Sequence, residues 1–169
     1  KFTITATDVS EADKGEVTFT VTASNVPQGA ATVQVEVAGE IYDVALNTSG
    51  VGTLTIAHGN AEDVYEDASS VTATITKAEG GNYEKLDGVG SSAKADIADT
   101  TDTTTISIEA IDMAEGSDAH ALEGNAVFFR VSVDKTPETD LTVTVRLGKG
   151  ENAITKDVTI PTGSKSVEV

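Results

Sequence analysis

Glu16-Val17-Thr18-Phe19-Thr20-Val21-Thr22-Ala23 alternates apolar and polar residues without interruption. A period of two places Val17, Phe19, Val21 and Ala23 on one face of an extended strand and leaves threonine and glutamate on the other. The same period recurs outward in both directions, in Phe2-Ile4-Ala6, Val33-Val35-Val37, Ile41 to Leu46, Leu54-Ile56, Val71-Ala73-Ile75 and Ala93-Ala95-Ile97. Threonine and valine suit such half-buried pleated surfaces. Turn-forming residues separate the runs: Asp13-Lys14-Gly15, Asn25 to Gly29, Asn47 to Gly50, Gly80-Gly81-Asn82 and Gly88. No segment has a 3.6-residue period. Strands are expected over 2–8 (A), 16–23 (B), 32–38 (C), 40–46 (D), 52–57 (E), 69–77 (F) and 92–98 (G). Short strands at this spacing predict an all-β, immunoglobulin-like sandwich, here without the Cys–Trp–Cys signature of antibody domains.

The pattern then repeats. Thr3 to Glu11 is answered by Ser107 to Glu115, 104 residues on. Gly15 to Thr22 aligns with Gly124 to Val131, which sets Phe19 against Phe128 and Val21 against Arg130. Thr32 to Val37 aligns with Leu141 to Arg146, and Thr48 to Ile56 with Thr162 to Val169. A period near 100 residues is that of a tandem domain array rather than a short-repeat solenoid. The expected organisation is a sandwich over 1–99, an acidic threonine-rich linker over 100–103, and a second, incomplete sandwich over 104–169. The second copy has strands A to E (104–111, 126–133, 140–147, 153–160 and 164–169) and nothing equivalent to His58 through Asp99, so it lacks its last two strands. An edge left without F and G is an association hazard, which predicts a strand-supplying segment or a partner covering it.

Charge excludes several functions. Acidic residues outnumber basic ones 28 to 11, for a formal net charge of −17. Nucleic-acid binding requires clustered lysine and arginine, and attraction to anionic lipid requires the same. No apolar run reaches the length of a membrane span. There is no cysteine, which leaves a secreted domain stabilised by its core or by metal. The chain opens Lys1-Phe2 in mid-strand and its one methionine is Met113, so it reads as an excised piece.

Carboxylates gather where the strand order brings loops together. With strands alternating up and down, the A–B loop, the E–F loop and the exit from G lie at one end of the sandwich. They carry Asp8, Glu11 and Asp13; Asn60, Glu62, Asp63, Glu66 and Asp67; and Asp96, Asp99 and Asp102. Calcium takes six to eight such oxygens. The other reading is a solvated acidic loop, since Asp and Asn also close turns.

Three segments resemble a known family. The linker Ala95-Asp96-Ile97-Ala98-Asp99-Thr100-Thr101-Asp102-Thr103-Thr104-Thr105-Ile106-Ser107-Ile108 is similar to the junctions between Ig-like extender repeats of large bacterial RTX-type surface and biofilm adhesins. Asp63 to Ile75 resembles their E–F segment, and Gly80 to Leu86 their next loop. The resemblance implies calcium in the domain-end loops and at the linker, with Glu11, Asp63, Asp67, Asp99 and Asp102 as principal ligands and Asp8, Glu66 and Asp96 as secondary ones. In the second copy it sets Glu115 or Glu123 in the place of Glu11. It further implies a calcium-rigidified extender at the extracellular face of a bacterium, working beside neighbouring domains of its parent chain and holding a ligand-binding region away from the cell. Some family members also contain a split Ig-like domain.

Two other classes compete with the extender. One is a ligand-binding or split scaffold module presenting a sugar- or peptide-binding domain. The other is an accessory domain of a secreted polysaccharide-degrading enzyme. An enzyme in its own right is not expected. His58 and His120 have no Ser or Cys nucleophile context, and four Phe, three Tyr and no Trp make no aromatic sugar platform. Tyr42, Tyr65 and Tyr83 read as core or loop anchors.

Overall fold

The computed structural model describes residues 1–13, 15–111 and 127–169. Among them the protein is all β apart from one 3-10 turn, Gly150–Asn152, and no helix is long and apolar enough to cross a membrane. The described residues form two compact units, Lys1–Thr101 and Asp102–Val169.

Unit 1 contains β1 (Phe2–Ala6), β2 (Val9–Ser10), β3 (Glu16–Ala23), β4 (Ala31–Val37), β5 (Glu40–Ala45), β6 (Val51–Ala57), β7 (Ser69–Gly80) and β8 (Ser92–Ala98). They form a three-stranded sheet, β1-β3-β6, and a five-stranded sheet, β2-β8-β7-β4-β5. Their inner faces share one core. Phe2, Ile4, Val17, Phe19 and Val21 come from the first sheet, and Val33, Val35, Ala73, Ile75, Ala95 and Ile97 from the second. Phe19 has no exposed surface. Tyr83 closes one end of this core edge-to-face against Phe2, with ring centres 5.8 Å apart, and its hydroxyl donates to the Asn25 carbonyl at 2.6 Å. Gly88 is required beneath that ring pair. Its φ is +120°, and a Cβ there would come within 2.3 Å of the Phe2 carbonyl oxygen.

Two departures from the sequence reading matter. The strand expected over 2–8 ends at Ala6, and a second short strand that was not expected follows at Val9–Ser10. β1 pairs with β3, and the chain then crosses to the other sheet, where β2 runs parallel to β8 with Val9 opposite Ile97 and Ser10 opposite Ala98. Asp8 makes the crossing by accepting the Asp96 amide at 2.9 Å. The strand expected over 69–77 runs on to Gly80. A bulge lets it do so: Gln34 pairs with Lys77 and Val35 with Ile75, which leaves Thr76 over. The Thr76 hydroxyl donates to the Gln34 carbonyl at 3.3 Å, so alternation resumes beyond the irregularity.

Unit 2 contains β9 (Ile106–Ile111), β10 (Phe128–Val133), β11 (Leu141–Leu147), β12 (Ile154–Ile160) and β13 (Ser166–Glu168). Its sheets are β13-β10-β9 and β11-β12, over a small core of Val131, Val133, Val158 and Ile160. The strand pairing corrects the internal alignment. Ile4 pairs with Val21 and Ile108 with Val131, so Val21 corresponds to Val131, not Arg130, and Phe19 to Phe129, not Phe128. Inward positions of β4 are Ala31, Val33, Val35 and Val37, and those of β11 are Leu141, Val143, Val145 and Leu147. Ala31 therefore matches Leu141, and likewise Gly52 matches Val167. Phe128-Phe129 offers two phenylalanines for one Phe19, and matching the wrong one slips the copy by a residue, which turns every side chain to the opposite face.

Candidate metal centre

The crossing of the chain from β1 to β2 builds the site. Once β2 lies along β8, the turn after it sits beside the end of β8, and the Glu11 amide donates to the Ala98 carbonyl at 3.0 Å. Glu11 thereby comes next to Asp99 and Thr100, nearly ninety residues on in the sequence. The turn is held by Asp13, whose Oδ2 accepts the Ser10 amide at 3.0 Å. From the other side comes the 58–68 loop. The His58 Nδ1 accepts the Asn60 amide at 3.2 Å, and Asn60 Nδ2 donates to the Asp67 carbonyl at 3.2 Å.

Glu11, Asp67 and Asp99 each bring a carboxylate oxygen into a group whose atoms all lie within 4.8 Å of one another. Glu11 is only 3% exposed and is the one buried charged residue among the described residues. Its Oε1 accepts the Thr100 amide at 2.9 Å and lies 2.8 Å from the Thr100 hydroxyl. Its Oε2 and Asp99 Oδ1 are both buried without a hydrogen-bond partner. Buried polar atoms are ordinarily satisfied, so two such oxygens in one carboxylate group are oxygens made for something else.

The electrostatics of the two acids differ. The Thr100 amide and then its hydroxyl hold Glu11 below the usual glutamate range. Burial, followed by the charge of Glu11, pushes Asp99 above the usual aspartate range. The ionised form is favoured at Glu11 and disfavoured at its neighbour Asp99. A hard cation suits this donor set, because all-oxygen carboxylate groups select calcium or magnesium over metals that prefer nitrogen or sulfur.

The sequence-derived candidates separate by place. Glu11, Asp67 and Asp99 converge. Asp8 accepts the Asp96 amide, and Asp96 itself pairs with Lys94 at 2.6 Å. Asp63 accepts the Tyr65 amide at 2.8 Å and closes its own turn. Glu66 and Asp102 are exposed and outside the group, Asp102 belonging to unit 2. Glu115 and Glu123 lie outside the described residues. Sequence reasoning placed Glu62 among the acids of the E–F loop and Thr100 in the linker but gave neither a role at the site. The Thr100 hydroxyl lies 2.8 Å from Glu62 Oε1 as well as from Glu11 Oε1 and, having one hydrogen, donates to one carboxylate at a time. Its place in the Asp/Thr-rich run 99–105 was the only signal available.

No curated protein sequence matches the chain. Among solved structures, similar folds include a chain from a 1.5-MDa bacterial ice-binding adhesin studied for host cell surface retention, at 18% identity and a TM-score of 0.33, covering 100% of this chain. The present chain spans 53% of that one. A two-domain protein of unknown function from Bacteroides fragilis is similar at 8% identity and a TM-score of 0.35, over 99% of this chain and 87% of that one. The LapA domain family matches residues 1–100, more than half of the chain, and the chain therefore belongs to that family and is a bacterial adhesin domain.

Proposed function

We propose that this chain is a calcium-stabilised structural segment of a bacterial cell-surface adhesin, an extender that holds a ligand-binding region away from the cell. Membership of an adhesin family suggests a non-enzymatic protein at the cell surface. The observation that carries the calcium reading is the buried Glu11, with its unpartnered Oε2, in one group with Asp67 and Asp99. An ion held there ties the turn after β2, the loop before β7 and the segment after β8. Asp99 and Thr100 are among the last residues of unit 1, so the ion fixes the path by which the chain leaves that unit. Three carboxylates offer up to six oxygens, and backbone carbonyls or water complete the shell. Outside a cell, calcium is millimolar, which matches the affinities of extracellular modules.

Metal that binds only the folded form adds about 1.4 kcal/mol when its concentration is ten times Kd. For a unit of this size that raises the melting temperature by on the order of 5–10 °C. Thermal unfolding with millimolar calcium and with excess chelator measures this directly, with small-angle scattering following particle length on the same samples. Asp67→Asn, at an exposed position, should keep the calcium-free melting temperature and remove most of the calcium-dependent rise. Equal melting temperatures with and without calcium would leave the acidic loops merely solvated.

A further inference from the structure

Asp67 reaches the carboxylate group from a loop with little main-chain support. The β7–β8 ladder begins at Ser69 and Ile97, two residues short of Asp67 and Asp99. The His58 amide donates to the Gly15 carbonyl at 2.9 Å, and among the described residues 59–68 make no backbone-to-backbone hydrogen bond. Two side chains close the loop instead. Gly59, at a φ of +75°, bends the chain after His58. The bend returns the Asn60 amide to His58 Nδ1 at 3.2 Å, and Asn60 Nδ2 reaches across to the Asp67 carbonyl at 3.2 Å. The histidine is committed to this clasp. A ring nitrogen that accepts an amide carries no hydrogen, so the neutral imidazole has its hydrogen on Nε2. That Nε2 is buried and has no partner. Buried donors are ordinarily satisfied. Here the ring leaves one donor unmet, and its single side-chain hydrogen bond among the described residues is the one that holds Asn60.

We propose that His58 and Asn60 are the positioning residues of the candidate calcium centre: they seat Asp67 beside Glu11 and Asp99 and through it set the affinity for the ion. This rests on the calcium reading above. His58 fixes the Asn60 backbone, the Asn60 side chain fixes the Asp67 backbone, and the Asp67 carboxylate is thereby held in the group before the ion arrives. A ligand held in place gives up less freedom on binding than one drawn from a loose loop, so the clasp acts on affinity while adding no oxygen to the shell. The requirement at position 58 is an acceptor for the amide two residues on. Asparagine meets it, since its Oδ1 closes the same turn; leucine does not.

The test titrates the intact chain with calcium by calorimetry and reads amide hydrogen exchange without calcium. In the calcium-free chain His58→Leu should speed exchange at the Asn60 amide and leave β3, β7 and β8 as in wild type, and His58→Asn should restore the Asn60 protection. Losing one neutral hydrogen bond should weaken calcium binding about 3- to 10-fold in Asn60→Ala and in His58→Leu, while His58→Asn stays within about twofold of wild type. In an Asp67→Asn background, titrated to higher calcium, Asn60→Ala should add less than about twofold, because one residue acts through the other. Two failures are told apart. A wild-type chain that takes up no calcium removes the calcium reading and this inference with it. A wild-type chain that binds calcium no more tightly than Asn60→Ala leaves the calcium reading standing and overturns the inference, since continuation of the β7–β8 register then seats Asp67 unaided. The inference is equally overturned if Asn60→Ala costs the same factor with and without Asp67, which makes Asn60 a ligand in its own right, or if the Asn60 amide exchanges equally fast in wild type and His58→Leu.

Discussion

β1 and β9 have the same alternation and equivalent pairing partners, β3 and β10, and their fates differ. Ile4 on β1 is 7% exposed and Ile108 on β9 is 50% exposed, although each pairs with a buried valine of the neighbouring strand, Val21 or Val131. A period of two decides which face a residue takes; whether that face becomes core depends on the opposite sheet. Among the described residues, unit 1 has five strands there and unit 2 has two. Unit 1 consequently has a core large enough to bury Glu11 at its end, while the described residues of unit 2 give a core of four buried residues.

The hardest blow to this comparison is Phe19→Ala. Phe19 is fully buried in the middle of the unit 1 core, and such a truncation costs about 3–5 kcal/mol. The expected outcome, followed by residue-resolved denaturation, is a loss confined to residues 1–101 with the unit 2 transition in place. If both units weaken together they are one cooperative block, and comparing their cores separately is unsound. A paired substitution probes the strands themselves. Ile4→Ala should cost about 2–5 kcal/mol, and Ile108→Ala about 1 kcal/mol or less, since half of its surface is already in water. Equal losses would mean that β9 is covered in solution.

How far the sequence reached follows from these residues. Val17, Phe19 and Val21 announced their strand because alternation is a local property. The repeat announced a second copy but left its register open, since Phe128-Phe129 matches Phe19 twice and only pairing with Ala110 selects Phe129. The crossing after the first strand was hidden because Asp8 acts through an amide 88 residues away. That crossing also decides the site. Asp8, Asp63 and Asp99 are alike as acids in acidic loops, yet two of them are spent on backbone amides and only Asp99 is left partly buried with an unpartnered oxygen. Carboxylate type and loop position named the neighbourhood; hydrogen-bond accounting within it needed the fold.

The smallest expected effect is the most diagnostic, because it changes sign. In the calcium-free protein Asp99 sits above its ordinary range, through burial and the charge of Glu11. A raised carboxylate favours the folded state fully below its unfolded value, and that contribution is lost as pH rises through the folded value. Near neutrality Asp99 therefore weighs against unit 1, and Asp99→Asn should raise its calcium-free melting temperature. Glu11 runs the other way. Held down by Thr100, it contributes stability above its ordinary range and loses it as pH falls through its lowered folded value. Glu11→Gln should accordingly lower the calcium-free melting temperature at neutral pH. On acidification of the calcium-free chain, protonation of Asp99 should stabilise unit 1 and protonation of Glu11 should destabilise it. Millimolar calcium reverses the first comparison: wild type gains and Asp99→Asn does not, so the substitution that stabilises without the ion becomes the less stable form with it. Unit 2 should show neither the acid stabilisation nor the calcium response, and its Asp134 and Asp140, held down by the Thr105 and Thr162 amides, should only lose stability as pH falls. If Asp99→Asn moved unit 1 in the same direction with and without calcium, Asp99 would be an ordinary turn residue, and the distinction between the two ends of the molecule would reduce to the size of their cores.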